Sequence, residues 1–291
     1  VDIGGTSTKA GLVTTSGQVS QVNSIATKPD VESFFRELVR LISRTLEGGV
    51  SQLGVAVAGF VDETRSHLEY NSNLPWLEKF PLRERLREQF PALAIELEID
   101  SNASTMAEYR FGSGRGARRF LCLTCGTGLG VGMTVDGVPL RFAYGCMGDI
   151  GHTILMRDGP VCACGGRGCA EVILSSNTLA GNYQQVSGRT GEISLRDVIA
   201  AAQGGDGVAC EVLGAAGEWL GMAVASMANT FFPDHIAIAG GLSAAGDVVL
   251  KPAERVFRLM ASDFAKSRAT FGGAELGAAA TLVGAGWPFW R

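Results

Sequence analysis

The sequence predicts an α/β protein of two lobes with a cleft between them, and three observations carry that expectation. Short apolar segments of strand length alternate with amphipathic helical ones along the whole chain, and no linker or low-complexity stretch divides it. Glycine is abundant, 40 of 291 residues, and much of it is clustered, which points to tight turns near a ligand rather than to disorder. A strand–Gly/Thr–strand–Gly unit occurs twice, which suggests a duplicated scaffold.

The opening reads as a strand at residues 1–3, a Gly4-Gly5-Thr6 turn and a second strand at 9–13. Ser16-Gly17 then turns the chain into a third strand at 19–25. A helix is expected over 31–47, because Phe34, Leu38, Leu41, Ile42 and Leu46 share one face, and Gly48-Gly49 should end it. Residues 53–58 form a short apolar strand closed by Gly59, residues 83–90 a helix, and 95–99 a strand leading into Asp100. The first pattern then returns as a strand at 120–124, a Gly126-Thr127-Gly128 turn, a strand at 130–135 and an Asp136-Gly137 hairpin turn. Gly4-Gly5-Thr6, Gly11 and Gly17 thus correspond to Gly126-Thr127-Gly128, Gly132 and Gly137; chance likeness of two short loops is the alternative. A long helix over 208–229 aligns Leu213, Leu220, Val224 and Met227, and a strand at 235–239 meets Gly240-Gly241 before the next helix. The expected lobes are 1–99 with 276–291, and 100–275.

At 46% hydrophobic and 19% charged residues, with a mean hydropathy of +0.18, the chain can bury a large core. No run of about 18 uninterrupted apolar residues occurs, so no membrane span is expected. The first residues lack the basic-then-apolar pattern of a signal peptide, and the sequence opens inside a strand without Met, so a few residues are expected to precede it. A net charge of −4 and a pI near 5.5 argue against a large nucleic-acid surface, and the basic run at 110–119 reads as a solvated loop. Seven cysteines are too sparse for a disulfide framework, which makes the cytoplasm the expected compartment.

Three motifs carry chemistry. In Asp2-Ile3-Gly4-Gly5-Thr6-Ser7-Thr8-Lys9 the glycines let backbone N–H groups approach phosphate oxygens, while Thr6 and Lys9 add donors. The spacing fits neither a Walker loop nor a dinucleotide fingerprint; alone it reads equally as a hairpin, and Gly126-Thr127-Gly128 tips it toward phosphate. Asp100 follows an apolar strand, where an α/β fold places ligands and where a carboxylate can accept a hydroxyl proton. From position alone, an N-cap of the helical segment that follows is the better reading. Third, His152 precedes Cys162, Cys164 and Cys169, a set of three thiolates and an imidazole suited to a closed, structural zinc site. His67 reads as exposed and His235 as a strand-start residue, neither with ligand-like neighbours; Cys122, Cys125, Cys146 and Cys210 read as core or turn residues.

These motifs resemble the ROK family of bacterial repressors, open reading frames and sugar kinases. The opening is similar to its DIGGT segment, Gly148-Asp149-Ile150-Gly151-His152 to its ExGH motif, and Cys162-Ala163-Cys164-Gly165-Gly166-Arg167-Gly168-Cys169 to its zinc loop. Leu74-Pro75-Trp76 resembles the segment lining its sugar site. The likeness runs nearly end to end. It implies an actin/hexokinase-like ATPase fold and an ATP-dependent sugar kinase, with ATP and Mg2+ in the cleft and a structural Zn2+. Asp100 would be the base, and Gly59, Asn73, Asn102, Asp149, His152 and Glu171 would contact a hexose or hexosamine. Asp2, Gly4, Gly5, Thr6, Lys9, Gly126, Thr127, Gly128, Gly240 and Gly241 would hold the nucleotide and its metal, and His152, Cys162, Cys164 and Cys169 the zinc. A homodimer or homotetramer without nucleic-acid or membrane partners is expected.

Two positions depart from the pattern. Asp149 stands where the family has Glu, and Ile99 where it has Asn, which favours a substrate other than plain glucose. The competing readings are a sugar-sensing regulator, which would need a helix-turn-helix before Asp2 for which this sequence has no room, and a non-catalytic sugar-binding protein.

Overall fold

The computed structural model describes residues 1–71 and 73–290. The first half contains β1 (Asp2–Ile3), β2 (Ser7–Val13), β3 (Val19–Ala26), α1 (Val31–Thr45), β4 (Gln52–Val57), β5 (Phe60–Val61), β6 (Leu68–Tyr70), α2 (Leu82–Gln89), β7 (Ala94–Ile99) and α3 (Asp100–Phe111). There follow β8 (Arg119–Cys125), β9 (Leu129–Val135), β10 (Val138–Pro139), α4 (Ala170–Leu174), α5 (Ser176–Ser187), α6 (Leu195–Gln203) and α7 (Gly207–Phe231). The chain continues with β11 (His235–Ala239), α8 (Asp247–Met260), α9 (Asp263–Lys266), β12 (Thr270–Gly273) and α10 (Ala280–Ala285).

Two five-stranded sheets have the orders β3-β2-β1-β4-β7 and β10-β9-β8-β11-β12. Renumbered from their own first strands, both orders are the same, so the doubled Gly/Thr pattern reflects a doubled topology. In the first sheet β1 pairs antiparallel with β2 and parallel with β4, and β4 pairs parallel with β7. Central β4 buries Leu53, Val55, Ala56 and Val57, the near-continuous apolar run of a strand covered on both faces. Edge strand β3 carries mostly exposed or half-buried polar residues instead. Helix α1 starts at Asp30, whose side chain accepts from Ser33 N at 2.6 Å, and buries Phe34, Phe35, Leu38, Leu41 and Ile42. It ends at Thr45, before the expected Gly48-Gly49, because Leu46 already turns extended and packs on the core.

The chain divides into two compact units: Val1–Arg115 with Gly132–Gly148 and the segment from Ala278 onward, and Gly116–Val131 with Asp149–Gly277. The expected boundary at residues 99/100 is thereby displaced, and α3 belongs to the first unit. Its partner α10 lies so close that a Cβ on Gly284 would overlap the Ala103 carbonyl. In the second unit α7 is long and apolar enough to cross a membrane by length and composition. Its packing gives it another role. Gly217 and Gly221 sit against the Val249 and Ala253 carbonyls of α8 with no room for a Cβ, and Leu213, Leu220, Val224 and Met227 are buried.

The α3–α10 contact yields a direct test. Gly284→Ala should lower unfolding stability by about 1–3 kcal/mol, the scale of overpacking against atoms that cannot yield. Gly181→Ala, in α5 with nothing within 4 Å of the new methyl, should raise it by roughly 0.5–1 kcal/mol. Urea midpoints of both variants check the pair.

Candidate functional site

In the first unit the backbone register decides which residues meet. Ile3 pairs with Val57, and Val57 with Ile99, so three strands end abreast. The residues that follow, Gly4-Gly5-Thr6, Ala58-Gly59 and Asp100, therefore share one edge of the sheet, where open α/β sheets bind ligands. Lys9 sits opposite Asp2 across the hairpin. Gly5 and Thr6 form the exposed tip, and the Thr6 carbonyl is held by Thr27 N at 3.0 Å. Asn73, also exposed, lies beside the tip: a Cβ on Gly5 would stand 3.2 Å from its Cβ. Gly59 has φ +103°, and a Cβ added there would stand 2.5 Å from the Tyr70 carbonyl oxygen, so only glycine fits.

Asp100 is half-buried at the first position of α3. The N-cap position is Ile99, which offers no side-chain bond, while Asp100 Oδ1 accepts from Ser101 N at 2.7 Å. Burial, then the nearby charge of Asp2, pushes its carboxyl up to about 7. Burial also raises Asp2, with Lys9 opposing. Asn102 is only 1% exposed and gives its amide nitrogen to Glu98 Oε1 at 3.0 Å and the Gly145 carbonyl at 2.7 Å. Its nitrogen is therefore spent inside the protein, which leaves the amide oxygen for any sugar contact. Ile99 is 3% exposed within the core and, with Val61, crowds the spot at Gly145. Packed inward, Ile99 presents no polar atom to a ligand beside Asp100.

In the second unit Thr124 pairs with Ala239, so the Gly126-Thr127-Gly128 and Gly240-Gly241 turns leave the same end of adjacent strands. Gly240 has φ +83° and lies against the Cys125 backbone too closely for a Cβ. The Gly126 carbonyl accepts from Ser176 N and Oγ at 2.8 and 2.7 Å, which anchors the turn on α5. Glu171 Oε2 accepts from Leu129 N at 3.0 Å, and a Cβ on Gly128 would stand 2.5 Å from that oxygen.

His152 joins two groups of donors. Its Nε2 lies 3.7 Å from both Asp149 Oδ1 and Glu171 Oε1. Asp149, although one methylene shorter than the family's Glu, thus reaches the ring as closely as Glu171 does. On the other side Nδ1 is 3.5 Å from Cys162 Sγ, and Cys164 Sγ is 3.7 Å from Cys169 Sγ. The four donor atoms lie within 4.8 Å of one another. A tetrahedron with Zn–S of about 2.3 Å has edges of about 3.8 Å, so this donor set fits zinc in both chemistry and spacing. Gly168, at φ +64° against the Met156 carbonyl, lets the loop close on itself.

Sequence reasoning missed two clusters. His67 lies between Asp62 and Glu69, its Nδ1 3.6 Å from Asp62 Oδ1 and its Nε2 3.3 Å from Glu69 Oε2, and is half-buried rather than exposed. The two-residue spacing of His67, just before β6, and Glu69 within it was the available signal. Glu98 is fully buried, although alternation along 95–99 reads it as a solvent-facing residue. Cys122, Cys125 and Cys146 are buried as expected, with burial pushing the Cys125 thiol up to about 12, and Cys210 is half-buried.

Two sheets of one topology, each ending in a Gly/Thr turn, with a carboxyl raised to about 7 at one strand end, define an actin/hexokinase-like phosphotransferase fold. The chain belongs to the ROK family, whose profile matches residues 1–289, and stands with that family's ATP-dependent sugar kinases. The glucokinase of Streptomyces coelicolor is 31% identical over an alignment of 306 residues covering 98% of this chain and 95% of that protein. The crystal structure of a ROK family glucokinase from Streptomyces griseus, in complex with glucose and AMPPNP, superposes with a TM-score of 0.88 at 31% identity, covering 98% of this chain and 96% of that one. A xylose repressor of Caldicellulosiruptor bescii is 28% identical over 244 residues, covering 78% of this chain and 61% of the repressor.

Proposed function

We propose that the chain phosphorylates a hydroxyl of glucose or a closely related hexose or hexosamine, with Asp100 as general base. The observation that carries this reading is the Asp100 carboxyl, at the end of β7 beside the Gly4-Gly5-Thr6 turn, poised near neutrality by burial and Asp2. Asp100 takes the hydroxyl proton as the sugar oxygen bonds to the γ-phosphorus. The bond from that phosphorus to the β–γ bridging oxygen breaks, and ADP leaves. The Gly4-Gly5-Thr6 and Gly126-Thr127-Gly128 turns offer backbone N–H groups to phosphate oxygens, and Gly240-Gly241 a surface for adenosine.

Asp2, a hard oxygen donor beside the phosphate turn, is the residue proposed to hold Mg2+, which when bound neutralises phosphate charge. Asp149, His152 and Glu171 are proposed as sugar-hydroxyl ligands. Bound zinc would be held by His152 Nδ1 and the three thiolates, which sets the ring so that Nε2 faces the hydroxyls. Such a thiolate set survives in a reducing compartment, which supports the cytoplasm. A homodimer or homotetramer is proposed as the assembly; exposed Leu259, Met260 and Phe264 support it. A sugar-sensing regulator would bind the same ligands without turnover, and ADP release separates the two.

Across a panel of hexoses, N-acylhexosamines and amino sugars, ADP release should be highest for glucose or a near relative. Asp100→Asn should keep ATP and sugar binding and lower turnover by roughly 10²-fold or more. Because the raised carboxyl must lose its proton to act, wild-type kcat/KM should rise with pH and level off above about 7. A flat profile from pH 5 to 8 or near-normal turnover of Asp100→Asn refutes the base assignment.

Metal analysis of the purified protein should find one zinc per chain, a stoichiometry set by the single four-donor cluster among the described residues. Chelation or Cys164→Ser should lower thermal stability and sugar affinity together, while ATP affinity changes little. Protein that is folded, binds sugar and contains no zinc refutes this part of the reading.

A further inference from the structure

Glu98 lies two residues before Asp100 on β7 and is fully buried, yet nothing in the proposed reaction uses it. Burying a carboxylate is unfavourable unless hydrogen bonds and counter-charges replace its water. Here the replacement is thorough. Oε1 accepts from Ile99 N at 2.9 Å and from Asn102 Nδ2 at 3.0 Å. Oε2 accepts from Trp287 Nε1 at 2.7 Å and from Arg141 Nη2, with Arg65 Nη1 3.6 Å away. Four donors on four lone-pair sites leave no place for a ligand, so Glu98 does not itself bind substrate.

The donors connect four parts of the first unit. Asn102 belongs to the first turn of α3, which opens at Ile99 without a capping side chain. The Glu98–Asn102 bond, side chain to side chain, ties that turn to the strand before it. The Asn102 amide also reaches the Gly145 carbonyl, in a tight turn where Tyr144 and Gly145 have φ of 50° and 76°. Arg141 leads into that turn, and its guanidinium lies over the Trp287 ring, 5.5 Å from the centroid. Trp287 follows α10, and three residues later Trp290 packs edge-on to Phe111 at 5.1 Å while its carbonyl accepts from Arg110 Nη1 at 3.1 Å. Helix α3 is therefore held at its first turn through Glu98 and at its last turn by Trp290.

We infer that Glu98 is a positioning residue, which through Asn102 and Trp287 sets the first turn of α3 and with it the orientation of Asp100. The inference rests on the reading of Asp100 as the base of a sugar kinase. It adds a requirement that reading lacks: the base works only while a buried carboxylate two residues upstream keeps its donors.

Two variants test it in the full chain. Glu98→Gln keeps the shape but turns an acceptor into a donor facing Trp287 or Arg141. Trp287→Phe removes only the indole N–H and keeps a ring beneath Arg141. Steady-state kinetics, thermal unfolding and backbone amide exchange are measured together. Both variants should fold and lose roughly 10- to 100-fold in kcat, the scale of a misplaced reacting group. The KM for ATP should stay within about twofold, and amides of residues 100–106 should exchange faster than in wild type. A merely structural role would lower the unfolding midpoint and leave kcat of the folded protein and exchange over residues 100–106 unchanged; that result overturns the inference. Should Glu98→Gln not fold, Trp287→Phe decides by the same readouts. A wild type that phosphorylates no sugar refutes the kinase reading instead, and amide exchange in the variants then decides whether Glu98 holds α3.

Discussion

The chemistry of the first unit depends on the hydrogen-bond register that sets Ile3, Val57 and Ile99 abreast. A slip of one residue on β7 would reverse every side chain on it: Glu98 would leave its donors, and Asp100 would leave the edge shared with the phosphate turn. Burial on both faces of β4 and β7 opposes such a slip, since Val55, Val57, Leu97 and Ile99 all lie in one core. Further, α10 presses on this layer where glycines allow it. A Cβ at Gly54 would overlap the Ala285 carbonyl, and one at Gly284 the Ala103 carbonyl. Close helix–sheet approach and register are thus one constraint, and the position of Asp100 follows from it.

The second unit solves a different problem, the orientation of an imidazole. A histidine alone on a short turn can rotate and can carry its proton on either nitrogen. His152 has thiols on its Nδ1 side and carboxylates on its Nε2 side, so each nitrogen has one kind of neighbour. A metal held on Nδ1 would leave Nε2 to carry the proton toward the carboxylates on its other side. Glu171 is held in turn by Leu129 N, at the start of the strand that leaves the second phosphate turn. The groups proposed for sugar and for phosphate therefore share one scaffold within this unit.

Much of this was legible in the sequence, for physical reasons that differ by residue. Glycines at 4, 5, 126, 128, 240 and 241 follow strand ends, and their clustering exposed the repeat that the two identical sheet orders display. The His152 and cysteine spacing carried the donor set in full. The boundary between units was not legible, because it depends on α10 returning to α3, a contact between segments more than 150 residues apart. The packing of Ile99 was hidden in the same way: its neighbour in sequence is Asp100, but its neighbours in space are Val61 and Gly145. For His67 only Glu69 was in view along the sequence, because the turn between β5 and β6 supplies its other partner, Asp62.

Glu98 and Asp100 carry the comparison further, since they are two carboxyl groups on one strand end with opposite surroundings. Depth alone does not separate them in the expected sense: Glu98 is the more buried of the two. What differs is the supply of donors and charge. Glu98 meets four hydrogen-bond donors and two guanidinium groups. Asp100 has the Ser101 N–H at 2.7 Å, and the nearest charge acting on it is another carboxyl, Asp2. Burial without donors favours the neutral acid, and a like charge favours it further, so Asp100 is held near the point where it can release or accept a proton. The two carboxyls thus differ in their partners: Glu98 has its hydrogen bonds complete, whereas Asp100, with one neighbouring N–H and a like charge beside it, is the one raised toward neutrality.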